Sequence, residues 1–194
     1  MQGIGPGDNL DCMHDASSSN TYTLARHPQS PSGPVAAIEA TVSRSDNGIL
    51  TLVYILTGEL SQIVVPEPRQ SQRAAGLWQH TCFEVFVMAG TGPGYSEFNF
   101  SPSGEWAAYM FERYREGKDL PVDAMPQPVP SGEPGRLEVT AQIGQDVLPA
   151  GDSLRLGLSA VIEHANGERS YWALGHPRGT PDFHDAAAFT AQLD

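Results

Sequence analysis

Residues 76–117 read GLWQHTCFEVFVMAGTGPGYSEFNFSPSGEWAAYMFERYREG and contain the clearest strand pattern in this 194-residue chain. Within 81–88 the side chains alternate between two faces, which is the two-residue period of a β-strand. One face carries Phe83, Val85 and Val87, and the other carries Cys82, Glu84, Phe86 and Met88. Residues 95–100 repeat the pattern, with Phe98 and Phe100 on one face and Tyr95, Glu97 and Asn99 on the other. The two strands are therefore predicted to share a polar and aromatic face.

That face has the groups that recognise neutral polyols. Glu84, Glu97 and Asn99 supply donors and acceptors for hydroxyl groups, and Trp78, just before the first strand, supplies a flat apolar ring. An uncompensated charge within an apolar strand is costly, so Glu84 must face solvent, a partner or a ligand. A salt bridge from Arg73 or Arg113 is the purely structural alternative.

Three segments carry a family resemblance: W-x-x-x-x-x-E-x-F from Trp78, EFNFSPSGEW over 97–106, and YWALGHPRGTPDFH over 171–184. Together they resemble the DOMON-like, family 9 carbohydrate-binding-module-like domains, and most closely a bacterial stand-alone subgroup. The resemblance covers roughly residues 21–193. It implies a β-sandwich that holds a sugar between tryptophans, with Trp78 stacking on the ring and with Glu84 and Asn99 bonded to its hydroxyls.

Three further side chains are second-rank ligand candidates. Glu97 depends on strand register, Trp106 could supply an opposing ring, and His176 depends on how the late loop folds back. No catalytic residue is assigned. Two carboxylates on one sheet face also occur in glycoside hydrolases, where they lie about 5 to 9.5 Å apart, but no sequence spacing here fixes that distance.

The composition of the chain excludes some classes of binding partner and some locations. The net charge of −12 repels nucleic acids and anionic membrane surfaces. Cys12 and Cys82 are too few for a disulfide framework, and Cys82 is predicted to be a free, packed thiol. Residues 1–20 contain no signal-peptide pattern, and no segment has the length of apolar sequence that a membrane span needs, so a cytoplasmic location is expected.

The remaining chain predicts an all-β antiparallel sandwich of jelly-roll or immunoglobulin type, with at most one short C-terminal helical turn at 185–193. Residues 1–20 are predicted to be a disordered extension, and 21–194 a single domain. Besides 81–88 and 95–100, strands are predicted at 21–24 (an edge strand), 35–42, 49–57, 60–65, 105–114, 136–143, 153–162 and 169–173. Residues 121–134 hold five prolines and predict a long surface connection.

Metal and haem are the weaker alternatives. His80, His176 and His184 do not have the spacing of an established metal site, and the prolines around the last two suggest loop histidines bonded to main-chain carbonyls. Because some DOMON-type domains carry haem between a methionine and a histidine, Met88 or Met110 with His176 is a conceivable pair. We expect no metal and no cofactor.

The sequence thus predicts a non-catalytic domain that binds a small soluble sugar or sugar derivative. The alternative from another class is an interaction module whose aromatic patch meets a protein, with the carboxylates as rim charges.

Overall fold

The computed structural model describes residues 19–90, 92–122, 125, 128–151 and 153–193, which form twelve β-strands and four short 3-10 helices. The strands are β1 (Ser19–Arg26), β2 (Val35–Arg44), β3 (Leu50–Gly58), β4 (Cys82–Ala89), β5 (Tyr95–Phe100), β6 (Trp106–Arg113), β7 (Glu116–Asp119), β8 (Val129–Glu133), β9 (Arg136–Ile143), β10 (Leu154–Glu163), β11 (Arg169–Ala173) and β12 (Ala191–Leu193). The 3-10 helices span Leu60–Gln62, Leu77–Gln79, Gln145–Val147 and Ala186–Ala188. Within these residues no helix has the length and apolar character that a bilayer span requires.

The strands form two antiparallel layers that are joined through β1. Sheet A has the order β1-β2-β3-β9-β8, and sheet B has the order β7-β6-β5-β4-β10-β11. Residues 19–24 pair with β2, whereas Ala25 and Arg26 pair with β11, so β1 passes from sheet A into sheet B. The short strand β12 pairs with the first part of β10. The fold is therefore the predicted all-β sandwich.

The core lies between the two sheets and consists of the side chains that the alternation predicted to share one face of each strand. Phe83, Val85 and Val87 of β4 and Phe98 and Phe100 of β5 are all buried in it. They pack with inward side chains of sheet A, including Ile38, Val42, Leu52, Leu56 and Val139. Glu84 and Glu97, one position away from these residues, consequently project from the outer face of sheet B.

One prediction about the first half of the chain is wrong. The predicted strand at 60–65 is a 3-10 turn, after which only Ile63 makes an isolated bridge, to His164. Pro66 and Pro68 follow immediately and cannot donate to a ladder. The edge strand predicted at 21–24 is confirmed, because these residues pair only with β2, at the end of sheet A, and the pairing with β11 begins at Ala25. Residues 1–18 of the predicted extension lie outside the described part of the chain, and β1 already begins at Ser19.

Three strands were not predicted, and each is short and carries weak strand signals. The exposed strands β7 and β8 lie at opposite ends of the strand order, where Pro130 and Gly132 are tolerated in β8 because one side of the strand needs no partner. The strand β8 lies within the predicted connection over 121–134. The helical turn expected at 185–193 is the 3-10 helix Ala186–Ala188, and β12 follows it.

Tyr54 links the two sheets beneath the outer face of sheet B. Its buried hydroxyl donates to the main-chain carbonyl of Glu84 at 2.7 Å. Replacing Tyr54 by phenylalanine is expected to lower the free energy of unfolding by about 1 kcal/mol, because the hydrogen bond is lost while the ring contact with Phe83 remains. Urea denaturation measures the loss, with the half-buried Tyr22→Phe as control. Equal losses in the two variants would contradict a stabilising link between the sheets.

Candidate functional site

A cavity of about 540 Å³ lies on the outer face of sheet B, on the side away from the core. Its aromatic lining consists of Trp78, Phe86, Tyr109, Phe111, Tyr171 and Phe183. The polar lining consists of Glu84, Glu97, Arg115 and His184, and Val161 and Pro181 complete the wall. The volume is within the range of small-molecule sites, as is the combination of many apolar groups with a few polar ones.

Strand register places the floor residues in two rows. Phe86 pairs with Glu97, and Glu97 pairs with Tyr109, so these three side chains follow one another across β4, β5 and β6. Glu84 lies in the adjacent row, opposite Asn99. Because paired residues project to the same face of a sheet, Glu84 and Glu97 are diagonal neighbours on the cavity floor.

Connecting segments supply the walls. Trp78 lies in the 3-10 helix that begins after Gly76, whose φ of 72° permits the sharp entry. Arg115 lies between β6 and β7 and has a φ of 56°, the left-handed conformation of a tight turn. Phe183 and His184 come from the connection between β11 and β12, which crosses the outer face of sheet B.

Glu84 is the most deeply buried polar group on the cavity floor, with 2% of its surface exposed. Its Oε2 accepts a hydrogen bond from Ser159 Oγ at 3.4 Å, and its Oε1 has no hydrogen-bond partner among the described residues. Burial raises the pKa of Glu84 well above its usual value, and the negative charge of Glu97 raises it further, while the Ser159 hydrogen bond opposes both. Burial and the neighbouring charge therefore favour the protonated form of Glu84.

Glu97 is only slightly more accessible, with 6% of its surface exposed. Its Oε1 accepts a hydrogen bond from Asn99 Nδ2 at 2.8 Å, and its Oε2 lies 3.7 Å from His184 Nε2. Burial raises the pKa of Glu97 to about 7, against the lowering effects of the Asn99 hydrogen bond and the charge of Arg115. Near pH 7 Glu97 is thus present in both its protonated and its ionised form.

His184 is neutral in this setting. Burial lowers its pKa to about 4, and the charge of Arg115 acts in the same direction, whereas Asp182 opposes them. His184 Nδ1 lies 2.9 Å from the hydroxyl of Tyr95, which itself accepts the main-chain N–H of Arg115. In the tautomer with the His184 proton on Nε2, Nδ1 accepts the Tyr95 proton and the Nε2–H faces Glu97. The contact between His184 and Glu97 is consequently not an ion pair at neutral pH.

Arg115 brings a positive charge to the cavity, but a carboxylate on the wall neutralises it. Its Nη2 lies 2.9 Å from Asp182 Oδ1. The Tyr114 hydroxyl donates to Asp182 Oδ2 at 2.6 Å and accepts from Arg115 Nε at 3.2 Å. This triad also attaches the connection before β12 to the turn after β6, so it fixes one wall of the cavity.

The structure brings three of the six predicted ligand residues to the cavity. Trp78 lies at the rim with 50% of its surface exposed, and Glu84 and Glu97 form part of the floor. Asn99 lies outside the lining and is fully buried, where it holds Glu97 in place. The salt bridge considered for Glu84 does not form, because Arg73 donates to main-chain carbonyls and Arg113 pairs with Glu116.

The other two predicted ligand residues lie away from the cavity. Trp106 is 2% exposed and belongs to the core between the sheets, with the guanidinium of Arg73 against its ring. His176 Nε2 bonds the main-chain carbonyl of Ala25, and its ring packs edge-on against His27. The prediction that the late histidines bond main-chain carbonyls is thus confirmed for His176 and wrong for His184.

Nine lining residues were not among the predicted ligand residues: Phe86, Val161 and Pro181, and six others that are polar or aromatic. Tyr109 and Phe111 could have been found, since the alternation within 105–114 already separates them from Trp106. Tyr171, Phe183 and His184 belong to a quoted motif but reach the cavity only through the path of the late connection. Arg115 lies in a turn, where no strand or helix periodicity could indicate the direction of its side chain.

Metal-binding chemistry has no cluster to support it in the described part of the chain. No group of three or more His, Cys, Asp and Glu side chains there is arranged to hold an ion. The buried Cys82 is a free thiol, as predicted, and Cys12 lies outside the described residues.

Comparison with known proteins identifies the fold but not a family. The sequence matches no known protein-family model and no curated protein. The structure is similar to the crystal structure of a "putative carbohydrate-binding protein" from Bacteroides uniformis ATCC 8492, with a TM-score of 0.65 and 14% sequence identity. The likeness covers 91% of this chain and 85% of that one. At this identity it shows a shared fold.

Proposed function

We propose that this domain binds a small sugar or sugar derivative in the cavity on the outer face of sheet B. The observation that carries the proposal is the composition of that cavity, in which aromatic rings surround two buried glutamates, one with an unpartnered oxygen. Sugars need this combination, since their C–H faces pack on rings while their hydroxyls require buried donors and acceptors. The shared fold with the Bacteroides uniformis protein agrees with this function.

Trp78 is the stacking platform in this proposal. Its half-exposed ring at the rim leaves a face free for a ligand, whereas Trp106 and Trp172 are buried in the core. Glu84 and Glu97 bind hydroxyls from the floor, and Asn99 acts as a positioning residue through Glu97. A single small ligand held in this way should bind in the micromolar to millimolar range, about −4 to −8 kcal/mol.

The shape of the site favours a small ligand over a protein partner. A cavity of about 540 Å³ fits one or two sugar rings, whereas a specific protein interface buries roughly 800 Å² per partner, usually on a flatter surface. The two glutamates also lie buried on the floor, whereas a protein interface carries its charged groups mainly at the rim. Both features favour a sugar over a protein as the ligand of this cavity.

The test is a titration with mono- and disaccharides. Saturable quenching or a blue shift of fluorescence in the wild type is expected to come from Trp78, since the other two tryptophans are shielded from solvent. Trp78→Ala should weaken binding roughly tenfold, about 1.4 kcal/mol, while Trp78→Phe should retain most of it. Affinities are compared by calorimetry because the variants lack the reporting ring.

A silent panel with folded protein would overturn the proposal. The interaction-module alternative would then take precedence, and capture of partners would follow. Equal affinities of the wild type and Trp78→Ala would instead place the sugar elsewhere on the domain.

A further inference from the structure

We propose that the cavity selects a ligand with a protonated amine, so that its sugar is an amino sugar with a free ammonium group. This inference rests on the proposed function and names the chemical class of its ligand. It is carried by the unpartnered Glu84 oxygen, by the aromatic lining around it and by the neutralisation of Arg115.

The first argument concerns the two glutamates. An ammonium group has three donors and a full positive charge, and it can bridge two neighbouring carboxyls. Glu84 Oε1 lacks a partner although Glu84 is almost completely buried, and Glu97 Oε2 has only the distant Nε2 of His184 at 3.7 Å. Two acceptor oxygens on the cavity floor are therefore available, and a neutral hydroxyl could satisfy them, but only a cation would also stabilise the ionised form of the glutamates.

The aromatic lining supports the same ligand class. Phe86, Tyr109 and Phe111 lie beside the glutamates on β4 and β6, and Tyr171 and Trp78 line the cavity from other segments. The faces of such rings attract cations, and the attraction is stronger when the cation is desolvated. Aromatic rings grouped around a carboxylate are a recurrent arrangement for recognising organic ammonium groups.

The positive groups around the cavity do not oppose this reading. Arg115 is paired with Asp182, and His184 is neutral. Among the described residues that line the cavity, no other side chain is cationic. A ligand cation therefore enters a site whose own positive charge is already balanced.

Ammonium binding must also be coupled to proton release. The positive ligand stabilises the ionised form of the glutamates, so a proton leaves the pair for the solvent when the ligand binds. The titratable groups that face the pair from the surrounding elements are Tyr54 and Cys82 near Glu84, Tyr95 and Tyr109 near Glu97, and Tyr171, Arg115, Asp182 and His184 from the cavity walls and their supports. Burial raises the pKa values of Tyr54, Cys82, Tyr95 and Tyr109, which moves them further from neutral pH. The released proton therefore comes from the glutamates.

The experiment compares three matched sets by calorimetry: D-glucose, D-glucosamine and N-acetyl-D-glucosamine, with the corresponding galactose and mannose series. In at least one set the amine should bind at least tenfold more tightly than both the parent sugar and the N-acetyl form. Titration in buffers of different ionisation enthalpy should show release of a fraction of one proton at pH 7 for the amine only. The amine should also bind at least about fivefold more tightly at pH 7 than at pH 5.5.

Two variants connect the preference to the glutamates. Glu84→Gln and Glu97→Gln should each lower the affinity for the amine at least tenfold more than they lower the affinity for the parent sugar, so that most of the amine preference is lost. Circular dichroism checks that both are folded, and the second variant keeps the test valid if the first is not. Equal binding of parent sugar and amine, or tighter binding of the N-acetyl form, would overturn the amine proposal and leave the sugar proposal standing. Absence of binding by all nine compounds would overturn both.

Discussion

Replacing Glu97 by glutamine is expected to stabilise the protein by about 3 kcal/mol at pH 8 and to leave its stability at pH 4 unchanged. The value follows from the pKa of about 7 in the folded protein against about 4.5 in the unfolded chain, at 1.36 kcal/mol for each pH unit. Glutamine has nearly the same shape and can still accept the Asn99 hydrogen bond. Chemical denaturation of wild type and variant from pH 4 to pH 8 measures the difference.

The sign of this effect depends on which state binds the proton more tightly. Burial makes the folded protein hold the Glu97 proton to higher pH than the unfolded chain does. The stability associated with protonated Glu97 is therefore fully present below pH 4.5 and is lost as the pH rises through 7. The wild type should lose stability in this window, and Glu97→Gln should show a flatter profile. The raised pKa of Glu84 adds a decline of the same sign in both proteins.

Glu105 provides a control of opposite sign. It is also buried by exposed area, but its carboxylate accepts hydrogen bonds from Gln72 and Ser103 and lies 3.7 Å from Arg69. The Gln72 hydrogen bond is the main cause of its lowered pKa. Glu105→Gln should therefore destabilise the protein at pH 7, and the loss should disappear at acid pH. If both variants shifted stability in the same direction at pH 8, the assignment of Glu97 as a destabilised carboxylate would be wrong.

A stabilising Glu97→Gln would also bear on function. Two buried glutamates whose ionisation lowers stability are unfavourable for folding alone, and groups of this kind concentrate at binding sites, where stability is exchanged for activity. The neighbouring buried positions of β5 show the contrast, since Phe98 and Phe100 contribute only packing. A variant that gains stability and loses ligand affinity would support a binding role for the cavity floor.

Local periodicity predicts which residues share a face of each strand at the site. It does not predict how those residues align across neighbouring strands. Alternation within 81–88 and 95–100 separates the core phenylalanines from the glutamates, as the structure confirms. Trp106 required the pairing between strands: it lies opposite Phe100, so it shares the inner face and packs in the core. The alternation within one strand does not show which of its two faces lies on the same side of the sheet as a given face of the next strand.

The burial of the site depends on contacts between distant parts of the chain. Both faces of β4 and β5 are buried, although only one faces sheet A. The connection before β12 covers part of the outer face through Phe183, His184 and Phe189. Its sequence is rich in turn residues and has no period, so its path is set by tertiary packing. For the same reason the pKa values of the glutamates could not be anticipated from sequence.

Phe189→Ala is expected to have the largest effect on stability, a loss of about 3 to 5 kcal/mol. The ring is 1% exposed, stacks on Phe86 with centroids 5.6 Å apart, and meets Tyr95 edge-on at 5.7 Å. It also lies over Gly157, where an added Cβ would come within 2.5 Å of it. Removing the ring leaves a cavity beneath the connection that carries His184. Thermal and urea unfolding measure the loss.

Sugar affinity should fall at least tenfold in the same variant, because the wall formed by Phe183 and His184 loses the contact that holds it against β4. Binding is measured at a temperature where circular dichroism shows the variant to be folded. Phe183→Ala is the matched control. The ring of Phe183 is half-buried and lines the cavity, and its centroid lies 6.1 Å from that of Tyr171. That variant should lose affinity with a change in stability below about 1 kcal/mol. Unchanged affinity in folded Phe189→Ala would show that the position of this wall does not determine ligand binding.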